Sequence, residues 1–337
     1  MTAATFRAEV IAGLLELAWE QWSQLGVSGA APARREERAA DAEALLLFTL
    51  HAARHDPRLF GEVLDWLAHN TALISTHRLR NICSDATDRA LAGAALDWAA
   101  AQRRPQAAER TEASSSDDPG LEPLFHGLPI LAGAVDPAFA SHGFARSRLT
   151  PSGKSHHPRL LDPISFALRL RRLLGVGVRA EVVRTLLTIR APRLASGVIS
   201  ADAGFAQRNV REGLGQLQQA GVIDVVRVAD DRHYAIRTDD WAALLRLPSA
   251  PHLPLHYDWI PAYRALTRIL RWVEQPGLDE LSPYLLASRA RTLLDEIAGL
   301  LGYLRIVPEL HGVPGADDWD RLTSVARTAI RQARGDA

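Results

Sequence analysis

Only one stretch of this chain, between Val222 and Arg237, alternates apolar and polar residues as a half-buried strand does. It reads as two short runs, "VIDVVRV" and "RHYAIR", joined by Ala229, Asp230 and Asp231 in the manner of a hairpin. The other periodic segments repeat their apolar residues every three to four positions. That pattern restricts the chain to a mainly α fold with one small β-hairpin. Its 337 residues exceed what a single core usually serves, about 250–300, so more than one domain is expected.

Capping residues set the expected boundaries. Residues 6–25 place Val10, Leu14, Leu17 and Leu25 at helical spacing, and Asp56-Pro57 pairs an N-cap with a proline suited to the first helical position. Helical stretches continue to Gln102, so residues 1–102 are expected to be a helical N-terminal domain. Residues 103–160 turn polar and then rich in Gly, Pro and His, which predicts a linker whose second half packs irregularly on a neighbour. Residues 161–247 hold several helices, a break at Gly204, a further helix and the hairpin. Residues 255–337 read as a helical C-terminal domain, in which Ser282-Pro283 opens a long helix and "DDWD" opens the last. Trp19, Trp22, Trp66, Trp98, Trp259 and Trp272 lie in apolar helical segments and are expected in the core or at interfaces.

The net charge is zero but unevenly spread. Residues 1–118 carry 12 basic and 17 acidic side chains, residues 159–237 carry 13 against 7, and residues 238–337 carry 11 against 13. A basic middle between acidic ends suits binding to a polyanion. Arg169, Arg171, Arg172, Arg179 and Arg184 are candidates to extend such a surface, or else a solvated helix face.

The stretch "SADAGFAQRNVREGLGQLQQAGVID" orders a helix, a Gly204 turn, a helix with a polar start and an exit into a strand. In this order, residues 194–237 resemble the winged helix-turn-helix of MarR- and ArsR-type bacterial regulators. With the flanking helices, over residues 161–247, the resemblance covers about a quarter of the chain. It implies a transcriptional regulator that binds double-stranded DNA as a homodimer on a palindromic site, with residues 206–219 as the recognition helix. Gln207, Arg208, Asn209 and Arg211 fall in its first turns, off the Val210/Leu214/Leu217 face, and are the side-chain types that read base edges. Arg227, Arg232 and His233 would reach phosphates from the wing, with Arg237 nearby. Glu212, Asp230 and Asp231 oppose this, since acids repel phosphate. A different class therefore stays open: a protein–protein module, antitoxin-like or an adaptor, that engages a partner through the N-terminal helical domain and keeps the winged helix for structure or autoregulation.

Other chemistries lack support. Lys154 is the only lysine beside 38 arginines, and "PSGKS" has Arg148 where a phosphate loop needs glycine. The lone cysteine, Cys83, excludes an internal disulfide or a Cys-rich metal site and is expected to be inert. His51 and His55 stand four apart on a helix, but Ala52 replaces the zincin glutamate, so no metal and no cofactor are expected. No nucleophile motif points to an enzyme. Without a run of about 18 apolar residues no membrane span is expected, and Glu9, Glu16 and Glu20 argue against a signal peptide, which together favour a cytoplasmic protein.

Overall fold

The structure is a computed structural model that describes residues 1–29, 36–103, 120–128, 135–228, 231–307, 315 and 317–335. It is mainly helical. The first part of the chain supplies α1 (Ala3–Gln24), α2 (Ala42–Ala52), α3 (Pro57–Asn70), α4 (Thr76–Ile82) and α5 (Ala86–Gln102). An irregular stretch follows, containing β1 (Glu122–Pro123), α6 (Pro137–Ala140) and β2 (Phe144–Ala145), with β1 and β2 paired in parallel. The central unit runs α7 (Phe166–Leu174), α8 (Val178–Thr188), β3 (Leu194–Ala195), α9 (Ser196–Ala203), α10 (Gln207–Gln219), β4 (Asp224–Val228), β5 (Asp231–Ala235) and α11 (Thr238–Leu244). Helices α12 (Trp259–Val273), α13 (Pro283–Tyr303) and α14 (Asp317–Arg334) complete it. Among the described residues no helix is long and apolar enough to cross a membrane.

Local rules account for most of these elements. Asp56 caps α3 by accepting from the amides of Arg58 and Leu59, Asp41 caps α2 and Ser282 caps α13, in each case filling donors that a helix start leaves open. At Asp162-Pro163 the cap is absent: a short 3-10 turn leads into α7, and the Asp162 side chain makes no capping bond.

Two hydrophobic clusters organise the packing. The larger is built by α1–α5 together with α12–α14, so helices from the two ends of the chain enclose one core. Its heaviest members are fully buried: Trp22 and Trp66 meet edge to face at 4.9 Å, and their indole N–H groups donate to the Thr49 hydroxyl and the Leu25 carbonyl. Of the tryptophans expected as anchors, Trp22, Trp66, Trp98, Trp259 and Trp272 are buried and Trp19 is partly so. Leu124, Phe139 and Phe144 of the irregular stretch join this core, while residues 104–119, where a polar linker is expected, lie outside the described residues. The smaller cluster belongs to the central unit, with Leu170, Val183, Leu187, Ile199, Val210, Leu214, Tyr234 and Trp241.

A buried chain of ions joins the two cores. Asp41 and Glu43 on α2 bind Arg78 on α4; Glu43 binds Arg171 on α7; Arg171 and Arg184 share Glu181 on α8; and Arg184 reaches Asp202 on α9. Burial opposes ionisation of Glu181 and Asp41, but the neighbouring guanidiniums overcome it and hold both carboxyls below the usual range. Arg171 and Arg184, considered above as surface groups for phosphate, are therefore interior residues; Glu181 stands at helical spacing from Arg184, but Glu43 and Asp202, which complete the pairing, come from other helices.

Candidate nucleic-acid interface

The candidate interface is built from α9, the turn after it, α10 and the β4–β5 hairpin. Gly204 ends α9 with φ +68°, a left-handed conformation that suits glycine. A Cβ there would lie 3.0 Å from Ile82 and 3.2 Å from the Arg78 Nε. Arg78 Nε donates to the Ala203 carbonyl at 2.7 Å, and the Ser200 hydroxyl to the Phe205 carbonyl at 2.7 Å, so the turn is tied from both sides. Helix α10 then buries Val210, Leu214 and Leu217, and Gly213 admits Val178 of α8, whose Cγ1 would stand 3.1 Å from an added Cβ. Ala206, one turn before Val210, is exposed and caps the helix without a side-chain bond. The helix closes on Gly221 (φ +68°), with the Val222 amide bonded to the Leu217 carbonyl and that of Gly221 to Gln218. This paired closure points the chain into β4.

The hairpin is antiparallel and continues into a three-stranded sheet of order β3-β5-β4. Strand β3 is absent from the expectations because two residues carry no readable period; "RLASGVIS" reads as helix throughout. Register places Arg227 opposite Arg232, Val226 opposite His233 and Val225 opposite Tyr234. Strand residues alternate faces, so Arg227 and Arg232 share the face of buried Tyr234, whereas His233 points the other way with Val226. The His233 Nδ1 is buried without a hydrogen-bond partner.

Between α10 and β5 lies a groove of about 560 Å³ whose lining includes Ser196, Gln207, Arg211, Gln218, Arg232 and Tyr234 together with the acidic Asp231. The seven expected residues are thus only partly gathered. Gln207, Arg211 and Arg232 line the groove, and Arg227 stands beside Arg232. Arg208 is exposed on the next face of α10, Asn209 is half-buried, and His233 turns away. Ser196 and Gln218 were missed: Gln218 continues the Gln207–Arg211–Gly215 stripe and was within reach of a longer helical count, but Ser196 comes from another element.

Electrostatically the groove is open to an anion. Arg208, Arg211, Arg227 and Arg232 have no described carboxylate within ion-pair distance, while Arg237, expected nearby, is tied to Asp240 at 3.0 Å. Like charges directly across a ladder repel, so the Arg227–Arg232 pair favours any anion that settles between them. Beyond the ion chain, residues 159–237 still hold 11 arginines against 5 acids, because the buried pairs cancel.

The remaining candidate motifs have structural roles. In "PSGKS" the amides of Gly153 and Ser155 and the Ser152 hydroxyl all point at the buried Asp65 carboxylate, which occupies the place a phosphate would need. In "DDWD", Asp318 accepts from the Gly315 amide and from Arg321. Burial pushes the Cys83 thiol up to about 11, which keeps it protonated and unreactive. His51 does not meet His55: its Nε2 lies 2.8 Å from Asp88. Comparison with family models, with curated proteins and with solved structures finds no match to this chain.

Proposed function

We propose that residues 161–247 form a winged helix-turn-helix that binds double-stranded DNA, with α10 as recognition helix and β4–β5 as wing, in a MarR/ArsR-like transcriptional regulator acting as a homodimer. The observation that carries this reading is the groove in which Gln207 and Arg211 of α10 face Arg232 of the hairpin with no described carboxylate neutralising the arginines. Supporting it, the order α8, β3, α9, α10, β4, β5 supplies a helix, a tied glycine turn, a second helix with an exposed polar stripe, and a basic hairpin. In the major groove Arg211 and Gln207 would read guanine and adenine edges, and Arg227 and Arg232 would grip the backbone beside it. Two copies would present two such helices to a palindrome.

The test is fluorescence anisotropy with labelled duplexes across a salt series. Expected is an affinity that falls steeply with salt, by a slope of about −0.9 per neutralised phosphate, and that the Arg208→Ala/Arg211→Ala pair abolishes without changing the melting curve. No binding even at low salt overturns the proposal and returns the unit to a scaffold, with the partner then sought on residues 1–100.

A further inference from the structure

We propose that His55, His126 and Glu274 bind a zinc ion. The three residues come from separate parts of the chain: His55 from the 3-10 turn after α2, His126 from the loop after β1, and Glu274 from the C-terminal cap of α12. Their donor atoms, one from each side chain, all lie within 4.8 Å of one another. The His55 Nε2 is 2.7 Å from Glu274 Oε1 and the His126 Nε2 is 3.5 Å from the same oxygen. The two imidazole rings stack with centroids 4.7 Å apart, which keeps the two side chains side by side next to Glu274.

Hydrogen bonding within the cluster leaves something over. His55 is served by Glu274, but the His126 Nε2 is buried and has no hydrogen-bond partner. A buried polar atom of that kind needs a ligand. One cation at the centre would satisfy all three donors at once.

The ligands are also held in place by their neighbours. Arg54, adjacent to His55, donates through Nε to the Leu124 carbonyl at 2.8 Å and pairs with Glu122, while its own carbonyl accepts from the His126 amide at 2.9 Å. Phe125 packs edge-on against Phe60 of α3. The loop that carries His126 is therefore clamped to the residue that precedes His55, and Arg54 itself is paired with Glu122. Two imidazoles and a carboxylate suit zinc, with ligand distances of about 2.0–2.2 Å, and three protein ligands leave a fourth position for water or a small anion. Asp202, His256 and Asp258 also converge, but Asp202 is committed to Arg184 and the Thr185 hydroxyl, so one ion per chain is expected.

The experiment titrates the full chain, stripped with chelator, with Zn²⁺ in competition with a chromophoric chelator, and with Co²⁺ as a spectroscopic probe. Expected is one tightly bound equivalent, a visible Co²⁺ band of low coordination number, and at least a tenfold loss of affinity in His126→Gln and in Glu274→Gln. His142→Ala, a half-buried imidazole paired with Asp97 away from the cluster, serves as control and should bind as the parent does. Melting curves in chelator show whether each variant folds like the parent; His126 lies on a loop, so its variant is the primary test. No stoichiometric binding by the parent, or binding that both glutamine variants retain, overturns the proposal.

Discussion

Two groups of arginines in the central unit meet physical chemistry in opposite ways. Arg171 and Arg184 are buried, and each grips two carboxylates: Glu43 and Glu181 for one, Glu181 and Asp202 for the other. Arg208, Arg211, Arg227 and Arg232 are exposed and meet no described carboxylate. Interior guanidiniums must be paired because desolvation is severe, and their net contribution to stability is small even so. Exposed ones can stay unpaired cheaply, which leaves their donors free for something that arrives from outside. The same side chain is thus mortar in one place and a binding surface in the other. Arg78 connects the two, since it closes the ion chain at Asp41 and Glu43 and also holds the Ala203 carbonyl at the turn that aims α10.

Removing one partner from the buried chain should have the largest effect. Arg78→Met leaves Asp41 without its guanidinium and should cost about 3–5 kcal/mol of stability, measured by denaturant unfolding. A loss within 0.5 kcal/mol, the range about expected of surface changes, would show that the chain is not the joint between the cores. Next comes Arg211→Ala, expected to weaken duplex binding by about 1–3 kcal/mol while unfolding stays unchanged. A destabilised Arg211→Ala protein would erase the distinction between the two populations. In the same assay His233→Ala should leave affinity intact, because register turns His233 to the face opposite Arg232.

Much of this contrast is hidden from the sequence, and the reason is distance. Within "LRLRRLL", Arg171 and Arg172 are neighbours of the same type, yet Arg171 is buried and Arg172 exposed. What separates them is Glu43, 128 positions earlier, and no local pattern reports a partner that remote. Where the cause is local, the reading succeeds: Asp56-Pro57 starts α3, Gly204 and Gly221 end α9 and α10, and the alternation after Val222 becomes the hairpin. The core shared by α1–α5 and α12–α14 was illegible, since an amphipathic helix shows that it has a buried face but not which helix covers it. Of the candidate site, the α10 stripe was legible from helical spacing. The groove was not, because Ser196 and Arg232 are brought to it by β3–β5 pairing.

A smaller effect is expected at the turn that links the two populations. Gly204→Ala puts a Cβ into a left-handed position and against Ile82 and Arg78, and should cost about 1–2 kcal/mol in unfolding free energy. If the turn sets the aim of α10, duplex affinity should fall in this variant although no DNA-facing group has changed; unchanged affinity would separate the turn from recognition.

The smallest effect near neutrality, and the sharpest in sign, concerns acid. Glu181 and Asp41 are held below the usual carboxylate range by Arg171, Arg78 and Arg184 against the opposing effect of burial. In the unfolded chain such carboxyls titrate near about 3.9–4.3, so as pH falls through that window the unfolded state takes up protons first. Their contribution is therefore complete above about pH 6 and lost progressively below about pH 4, toward the depressed folded values. Thermal melts should be flat from pH 8 to 6 and fall below pH 4, and Glu181→Gln, less stable throughout, should show a shallower acid limb. Guanidiniums do not titrate in this range, so the positive charges of Arg211 and Arg232 in the groove persist while the joint between the cores weakens. Duplex affinity at fixed salt should accordingly hold as pH is lowered until unfolding begins. A decline in affinity that precedes unfolding would mean that the buried and exposed arginines are coupled, with Arg78 at the α9–α10 turn as the group through which the coupling runs.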